Sequence, residues 1–283
     1  MPLIKINKYK PYPPDILKHL HDVEIMILED FINFCNKHEI IYFMDGGSLL
    51  GCARHNGFIP WDDDIDIIMF RDQYEKFLMY NFELTDKYDI LNSDNYEYYC
   101  RLYSKLSLKG TKVDEIYDNN TDFSFGINID IFVLDNIPEG KFKRKIFKLE
   151  RNLFNRILSM YEITTCDLYV SKNKEKLGHI IRFLFKVINI NNNSLKKWGN
   201  KLINKSKSCN SKYVCNLSTS YGLFNYDKNL FKKTKKLPFE NLNVLVPKDY
   251  EEYLTIIYGD YMKLPPIEER INHGFSYIDF GKY

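Results

Sequence analysis

The chain has 283 residues, enough for one large domain or two small ones with a sizeable core. Its 40 basic and 38 acidic residues nearly balance, so the overall charge identifies no partner and gives no sign of nucleic-acid binding. An apolar signal-peptide core, a membrane-spanning run and a regular cysteine spacing are all missing from the sequence, which predicts a cytoplasmic protein with reduced thiols.

Charge is distributed unevenly along the chain. Residues 141–212 contain 18 Lys+Arg and 4 Asp+Glu, whereas the remainder contains 22 and 34. The sequence therefore predicts an acidic body that carries one strongly basic segment. We expect three consecutive regions: a core over residues 1–140, a basic helical segment over 141–212, and a C-terminal segment over 213–283 that packs back on the core.

The first predicted element is a long amphipathic helix. Leu20, Val23 and Ile27 begin an apolar series with a spacing of three to four residues, which predicts a helix over residues 16–38. Asp15 has the side chain expected of its N-cap.

A glycine turn follows a short buried strand predicted over residues 40–44. The turn Asp45-Gly46-Gly47-Ser48 leads into a short helix predicted over residues 49–54. Because the first amide groups of a helix have no partner within it, this arrangement could bind an anion such as phosphate.

Four aspartates precede or begin an apolar strand predicted over residues 65–70. On an extended backbone Asp62, Asp64 and Asp66 would share one face, with Asp63 opposite. Acids on one face repel each other, and Mg²⁺ or Mn²⁺ would neutralise them. The alternative is a solvated acidic loop that leads into the strand.

A second informative strand is predicted over residues 126–134. Its isoleucines alternate with Asn128 and Asp130, so Asp130 lies on the opposite face in the middle of an apolar strand. We interpret Asp130 as a further metal carboxylate from a neighbouring strand, with a structural hydrogen bond as the alternative. Asp135, at the strand's end, is expected to cap a turn toward Pro138.

A cationic face is predicted between these two acidic elements. Residues 71–80 are expected to be helical, and residues 96–106 to form a strand with Arg101, Tyr103 and Lys105 on one face. This face could bind phosphate opposite the carboxylates, or it could be a solvated cationic surface.

The basic segment predicts helices over residues 141–161, 175–190 and 194–207. Residues 180–188 are apolar except for Arg182 and Lys186. This stretch fits a core helix whose cations reach solvent. It also fits a helix that lies on an anionic membrane surface.

Three motifs together resemble the LicD family of phosphotransferases. They are Asp45-Gly46-Gly47-Ser48-Leu49-Leu50-Gly51, Gly57-Phe58-Ile59-Pro60-Trp61-Asp62-Asp63-Asp64-Ile65-Asp66 and Ile129-Asp130-Ile131-Phe132-Val133-Leu134-Asp135. The resemblance implies a nucleotidyltransferase-like α/β fold, a mixed sheet flanked by helices. It also implies Mg²⁺- or Mn²⁺-dependent transfer of phosphocholine from CDP-choline, with release of CMP. The acceptor would be a hydroxyl of a cell-surface glycan, or of a teichoic-acid or lipopolysaccharide precursor.

Several alternatives remain open. The fukutin-related ribitol-phosphate transferases are similar at the same motifs, so another CDP-alcohol could carry ribitol, glycerol or ethanolamine phosphate. A true nucleotidyltransferase would release pyrophosphate instead. A non-catalytic nucleotide-binding scaffold would release nothing. A lipid-linked glycan acceptor would place the protein at the inner face of the membrane.

The resemblance and the residue chemistry together define candidate roles. The expected metal ligands are Asp62, Asp64, Asp66 and Asp130. The expected substrate-binding residues are Asp45, Gly46, Gly47, Ser48, Arg54, Trp61, Arg101 and Lys105. Either Asp130 or His55 could accept the proton of the acceptor hydroxyl. Aromatic rings could bind the choline ammonium group, and those nearest the motifs are Trp61, Tyr96, Tyr98, Tyr99 and Tyr103.

Overall fold

A mixed β-sheet with flanking helices forms the body of the protein, as the sequence predicts. The computed structural model describes residues 12–114, 125–165, 172–218, 225–270, 272, 274 and 277–283. No helix within these residues has the length and apolar character needed to cross a bilayer.

Seven α-helices lie within the described residues. In chain order they are α1 (Pro14–Lys37), α2 (Gly46–His55), α3 (Arg71–Tyr80), α4 (Lys141–Thr165), α5 (Lys172–Val187), α6 (Asn192–Lys207) and α7 (Tyr250–Tyr258). Short 3₁₀ helices cover Asn81–Leu84, Lys228–Phe231 and Ile267–Glu269.

Eleven strands lie within the described residues. They are β1 (Phe43–Met44), β2 (Asp66–Phe70), β3 (Tyr88–Leu91), β4 (Ser104–Leu108), β5 (Lys112–Asp114), β6 (Asn128–Asn136), β7 (Tyr213–Asn216), β8 (Tyr226–Asp227), β9 (Thr234–Phe239), β10 (Leu242–Pro247) and β11 (Tyr277–Asp279). The main sheet has the order β1-β2-β6-β4-β3, and β9 with β10 and β5 with β11 form two small separate sheets.

Strand β6 is the centre of the main sheet. It pairs in parallel with β2 on one side. On the other side its first half pairs with β4 and its last three residues pair with β7. Its length of nine residues allows this division. Because β7 also pairs with β8, the chain after the basic segment adds strands to the same sheet.

Two main apolar clusters stabilise the fold, and a third, small cluster contains Leu91, Tyr99 and Phe125. The larger contains the inner face of α1, both sides of the β2–β6 pair, and residues of β9, β10 and α7. The smaller lies between α4, α6 and β7, with Phe154, Leu195 and Leu202 almost fully buried. The basic segment is therefore anchored to the sheet through α4 and α6.

Helix α5 is not the core helix that one interpretation of residues 180–188 favoured. Ile180, Phe183 and Val187 are 56%, 64% and 64% exposed, whereas Phe185 is buried. Phe185 packs toward Tyr161 of α4, with 6.1 Å between the ring centroids. The helix thus contacts the fold along one narrow line and presents most of its apolar residues to solvent.

One predicted helix N-cap, one predicted strand and one predicted turn cap are wrong. Pro13, not Asp15, is the N-cap of α1, and Asp15 lies in the first turn. The strand predicted over residues 96–106 begins only at Ser104. Asp135 does not cap a turn. It lies within β6 and accepts two hydrogen bonds from Arg71, at 2.9 and 2.6 Å.

Candidate active site

Asp66 and Asp130 are direct neighbours on the parallel strands β2 and β6. The Asp130 amide donates to the Ile65 carbonyl oxygen at 2.9 Å. Buried apolar side chains fix this register, because Ile67 and Ile131 next to the acids are both fully buried. Buried and half-buried residues alternate along the first half of β6, so a shift by one residue would turn Asp130 toward the buried face. The apolar pattern therefore brings the two distant aspartates together.

The glycine turn begins α2 rather than preceding it. The helix starts at Gly46, three residues earlier than predicted. The Asp66 amide donates to Ser48 Oγ at 2.9 Å, and the Asp45 amide donates to the Asp66 carbonyl at 2.9 Å. These bonds tie the first turn of α2 to the start of β2.

Glycines at this helix start leave room for two carboxylates. A Cβ atom on Gly46, which has φ +51°, would lie 2.6 Å from Asp66 Oδ2. A Cβ atom on Gly47 would lie 2.5 Å from Asp62 Oδ2. The positive end of the helix dipole favours these anions. The predicted phosphate-binding turn is thus already adjacent to two of the predicted metal ligands.

Asp62, Asp63 and Asp64 form a compact acidic cluster. One carboxylate oxygen of each lies within 4.8 Å of the others. The predicted alternation, with Asp63 on the opposite face, is wrong because β2 begins only at Asp66 and the preceding residues are not a strand. Asp63 is buried and accepts a hydrogen bond from the Gly274 amide at 3.2 Å.

Burial raises the pKa of two aspartates in this site, and repulsion by neighbouring acids adds to the effect at Asp66. Burial, followed by the charges of Asp64 and Asp130, raises the pKa of Asp66 well above the usual range of an aspartate. Burial also raises the pKa of Asp45, although Tyr253 opposes this by donating to Asp45 Oδ1 at 2.6 Å. The protein thus holds these acids together at an electrostatic cost, which a bound cation would offset.

Lys105 supplies one positive charge to the site. Its Nζ donates to Asp130 Oδ1 at 2.8 Å and to Asn128 Oδ1 at 3.0 Å. The ammonium group is buried and lies 5.0 Å from the centroid of the Phe125 ring. Lys105 therefore lies beside the carboxylates, where the sequence placed it.

Arg101 lies off the strand and pairs with the basic helical segment. Its Nε donates to Glu162 Oε1 of α4 at 3.1 Å, and its Nη1 donates to the Tyr103 hydroxyl at 2.8 Å. The backbone is irregular before Ser104, but the three side chains that were predicted to share a face are neighbours. The Tyr103 ring centroid lies 5.9 Å from Arg101 Cζ and 6.0 Å from Lys105 Nζ.

Arg54, His55 and Trp61 form a separate group at the C-terminal end of α2. Arg54 Nε donates to His55 Nε2 at 3.0 Å, and the His55 and Trp61 rings are 6.5 Å apart. Arg270 lies 5.0 Å from the Trp61 ring centroid. Helix α2 has ten residues, so His55 lies about 14 Å along the axis from the first turn. The structure does not place His55 within the acidic cluster.

Glu24 is a site residue that the sequence reasoning missed. It lies on the buried face of α1 and is only 2% exposed. Its electrostatic neighbours are Asp64, Asp63, Asp62 and Asp130. One turn earlier, His21 Nε2 contacts the Asp62 carbonyl oxygen at 2.8 Å. The sequence does contain a signal for this position. Glu24 lies four residues after Leu20 and three before Ile27, so it interrupts the apolar face of the predicted helix with a charged side chain.

Comparison with known proteins identifies a family and several relatives with similar sequences. Residues 39–132 match a family model described as "LicD/FKTN/FKRP, nucleotidyltransferase domain". The lipopolysaccharide cholinephosphotransferase LicD of Haemophilus influenzae is 31% identical over 259 residues, which cover 87% of this chain and 91% of that protein. The ribitol 5-phosphate transferases FKRP of Mus musculus and Homo sapiens are 62% identical over 26 residues, 9% of this chain and 5% of theirs.

Proposed function

The chain belongs to the LicD family, and from this premise we propose that it transfers phosphocholine from CDP-choline to a glycan hydroxyl and releases CMP. The acceptor would be a cell-surface glycan, or a lipopolysaccharide or teichoic-acid precursor. The observation that carries this proposal is the register of Asp66 with Asp130 beside the cluster of Asp62, Asp63 and Asp64.

The carboxylates of this site fit a hard divalent cation. The carboxylate oxygens of Asp62, Asp63 and Asp64, which lie within 4.8 Å of one another, can share an ion whose ligand distances are about 2.0–2.6 Å. Asp62, Asp64, Asp66 and Asp130 would hold Mg²⁺ or Mn²⁺. When bound, the ion would offset the negative charge of the donor's two phosphates and of the departing CMP.

The protein's own cations would contact the remaining phosphate oxygens. Lys105 is buried beside Asp130, while Arg101 and Arg54 lie farther out in the structure. A guanidinium group matches the geometry of a phosphate. The amides at Gly46, Gly47 and Ser48, together with Asp45, would orient the donor at the first turn of α2.

Two groups could take the proton from the acceptor hydroxyl. Asp130 lies within the carboxylate site. His55 is neutral when its Nε2 accepts from Arg54, and burial, followed by the Arg54 charge, lowers its pKa. Its position beyond the acidic cluster suits the outer side of the site, where an acceptor would approach.

Aromatic surfaces are available for the choline group. The Trp61 ring already contacts the guanidinium of Arg270, so its face accepts a cation. A quaternary ammonium would bind such a face, whereas ribitol or glycerol would require hydrogen-bonding groups. Ethanolamine phosphate is the nearest alternative because it is also cationic.

The test is donor turnover with identification of the leaving group. Protein freed of metal by EDTA is supplied with Mg²⁺, a glycan acceptor and CDP-choline, CDP-ethanolamine, CDP-ribitol or CDP-glycerol. We expect CMP from CDP-choline, and at least a hundredfold less from Asp64→Asn. Pyrophosphate release from a nucleoside triphosphate would indicate a nucleotidyltransferase. Binding without turnover of any donor would indicate a scaffold.

The exposed apolar faces of α4 and α5 support contact with an anionic membrane surface. On α4, Phe142, Ile146, Leu149 and Leu153 are 76%, 49%, 59% and 53% exposed. Their spacing of four, three and four residues places them on one face, opposite the buried Arg151 and Asn155. The two helices contact each other.

The charge of this region favours anionic lipid over a second copy of the chain. Residues 141–212 carry 18 cationic and 4 acidic side chains, which would repel an identical surface. Anionic headgroups would attract the cations while the apolar side chains enter the interface. We therefore propose that the protein works on a lipid-linked acceptor at the inner face of the membrane.

A further inference from the structure

Glu24 has no structural reason to be a carboxylate. It is 98% buried on α1, within the apolar series that packs on the sheet. Its Oε2 atom has no hydrogen-bond partner among the described residues. Burial of a polar atom without a partner costs about 1–3 kcal/mol, and more for a charged group. A leucine or methionine would fill the position without that cost.

The surroundings of Glu24 make the cost larger. The charges that act on it most are those of Asp64, Asp63, Asp62 and Asp130, which are all acidic. The nearby histidine, His21, is directed at the Asp62 carbonyl oxygen rather than at Glu24. The side chain therefore faces a region where negative charge is already concentrated.

A divalent cation resolves this arrangement. Six carboxylates from α1, from the segment before β2 and from the two central strands influence one another electrostatically. Those of Asp62, Asp63 and Asp64 lie close enough together to share one ion. Lys105 contributes one ammonium group, bound to Asp130 and Asn128. Because Lys105 pairs with one of these carboxylates, the others are available to a divalent cation.

Building on the function proposed above, we propose that Glu24 is a further metal ligand, bound to the ion directly or through one water molecule. Helix α1, which contacts β6, then supplies a ligand to the metal site. This position lies outside residues 39–132, the span that matches the family model. The role of α1 is therefore chemical as well as structural.

The test compares the metal affinities of two glutamate variants on the same helix. Glu24→Gln keeps the size of the side chain and removes its charge. Glu29→Gln makes the same change at an exposed position of α1. Mn²⁺ binding is measured by calorimetry on EDTA-treated protein without any donor, and the melting temperature is measured with and without Mn²⁺.

We expect Glu24→Gln to weaken Mn²⁺ binding at least tenfold and to reduce the rise in melting temperature that Mn²⁺ produces, because the amide cannot supply an anionic ligand oxygen. Glu29→Gln should leave both values unchanged. Glu24→Asp keeps the charge but shortens the reach, so its affinity should lie between those of wild type and Glu24→Gln.

The result that overturns the proposal is a Glu24→Gln protein with wild-type Mn²⁺ affinity. A wild-type protein that binds no divalent ion would instead contradict the metal-dependent function itself. A folded Glu24→Asp variant decides the question if Glu24→Gln does not fold. In that case wild-type affinity of Glu24→Asp overturns the proposal, and reduced affinity supports it.

Discussion

Asp130 lies between Asp66 on one neighbouring strand and Lys105 on the other, and is the register partner of both. Each partner has a different effect. Lys105 donates to the Asp130 carboxylate at 2.8 Å, whereas Asp66 repels it. The Asp130 carboxylate is therefore neutralised by Lys105, whereas the Asp66 carboxylate requires a proton or a metal ion.

Loss of the Lys105 ammonium group should destabilise the metal-free protein strongly. Lys105→Met leaves a mostly buried carboxylate without this partner, which costs about 3–5 kcal/mol. Urea unfolding in EDTA measures the free energy of unfolding. Lys109→Met is the control, because its pair with Asp89 is exposed and should contribute no more than about 1 kcal/mol. Equal losses in the two variants would show that burial of the pair has no effect.

Gly46 should tolerate no side chain. Gly46→Ala adds both a left-handed backbone penalty and a clash with Asp66 Oδ2 at 2.6 Å. Gly140→Ala is a matched control, because Gly140 has φ +88° with nothing within 4 Å of the added atom. We expect Gly140→Ala to cost about 1 kcal/mol, and Gly46→Ala to cost more and also to weaken Mn²⁺ binding. A Gly46→Ala protein with wild-type Mn²⁺ affinity would refute this role of the turn.

Binding to membranes should require both exposed apolar side chains and charge. Phe183→Ser removes a ring whose burial contributes about 1.5–3 kcal/mol, so partition into anionic vesicles should fall about tenfold or more. Phe82→Ser, at a ring that is also 64% exposed but lies outside the basic segment, should have no effect. Vesicle sedimentation measures both variants. Binding should weaken with salt, and equal binding to neutral vesicles would exclude the electrostatic account.

Local patterns sufficed to predict most elements that hold the site. The apolar alternation of residues 127–133 predicts a strand with Asp130 on its less buried face. The glycine turn predicts the short helix α2. Helix α3 extends over the predicted residues Arg71–Tyr80. These predictions succeed because each depends on a periodicity of side chains along a single segment.

The remaining features depend on contacts between segments. The sequence predicts that Asp135 caps a turn. In the structure it lies within β6 and accepts a hydrogen bond from Arg71, which is 64 positions earlier. Periodicity along a single segment could not reveal that partner. Asp63 joins Asp62 and Asp64 because the chain is irregular before Asp66. The sequence does not predict a role for Glu24, because a single acid on an apolar helix face indicates no site by itself. Its role becomes visible only when the fold brings α1 near the aspartates.

Acid should destabilise the protein partly through His55. Its pKa in the folded protein is lowered by burial and by Arg54, so the unfolded chain binds the proton more readily. The free energy of unfolding should therefore fall as the pH drops below about 6.5, the ordinary histidine value.

Urea unfolding in EDTA between pH 5 and 8 tests this dependence. His55→Gln keeps a hydrogen-bond acceptor for Arg54 but does not titrate, so its stability should fall less steeply with acid. His179→Gln, at an exposed position of α5, serves as the control and should keep the wild-type slope. An unchanged slope in His55→Gln would contradict the prediction.

Calorimetric titration of Mn²⁺ into wild type, Asp66→Asn, Asp130→Asn and the double variant tests most directly whether β2 and β6 act on one ion. If both aspartates hold the same cation, each single variant should lose at least tenfold in affinity. The double variant should then lose less than the product of the two single losses, because their effects are coupled. Wild-type affinity in either single variant, or losses that multiply independently, would contradict a shared metal site.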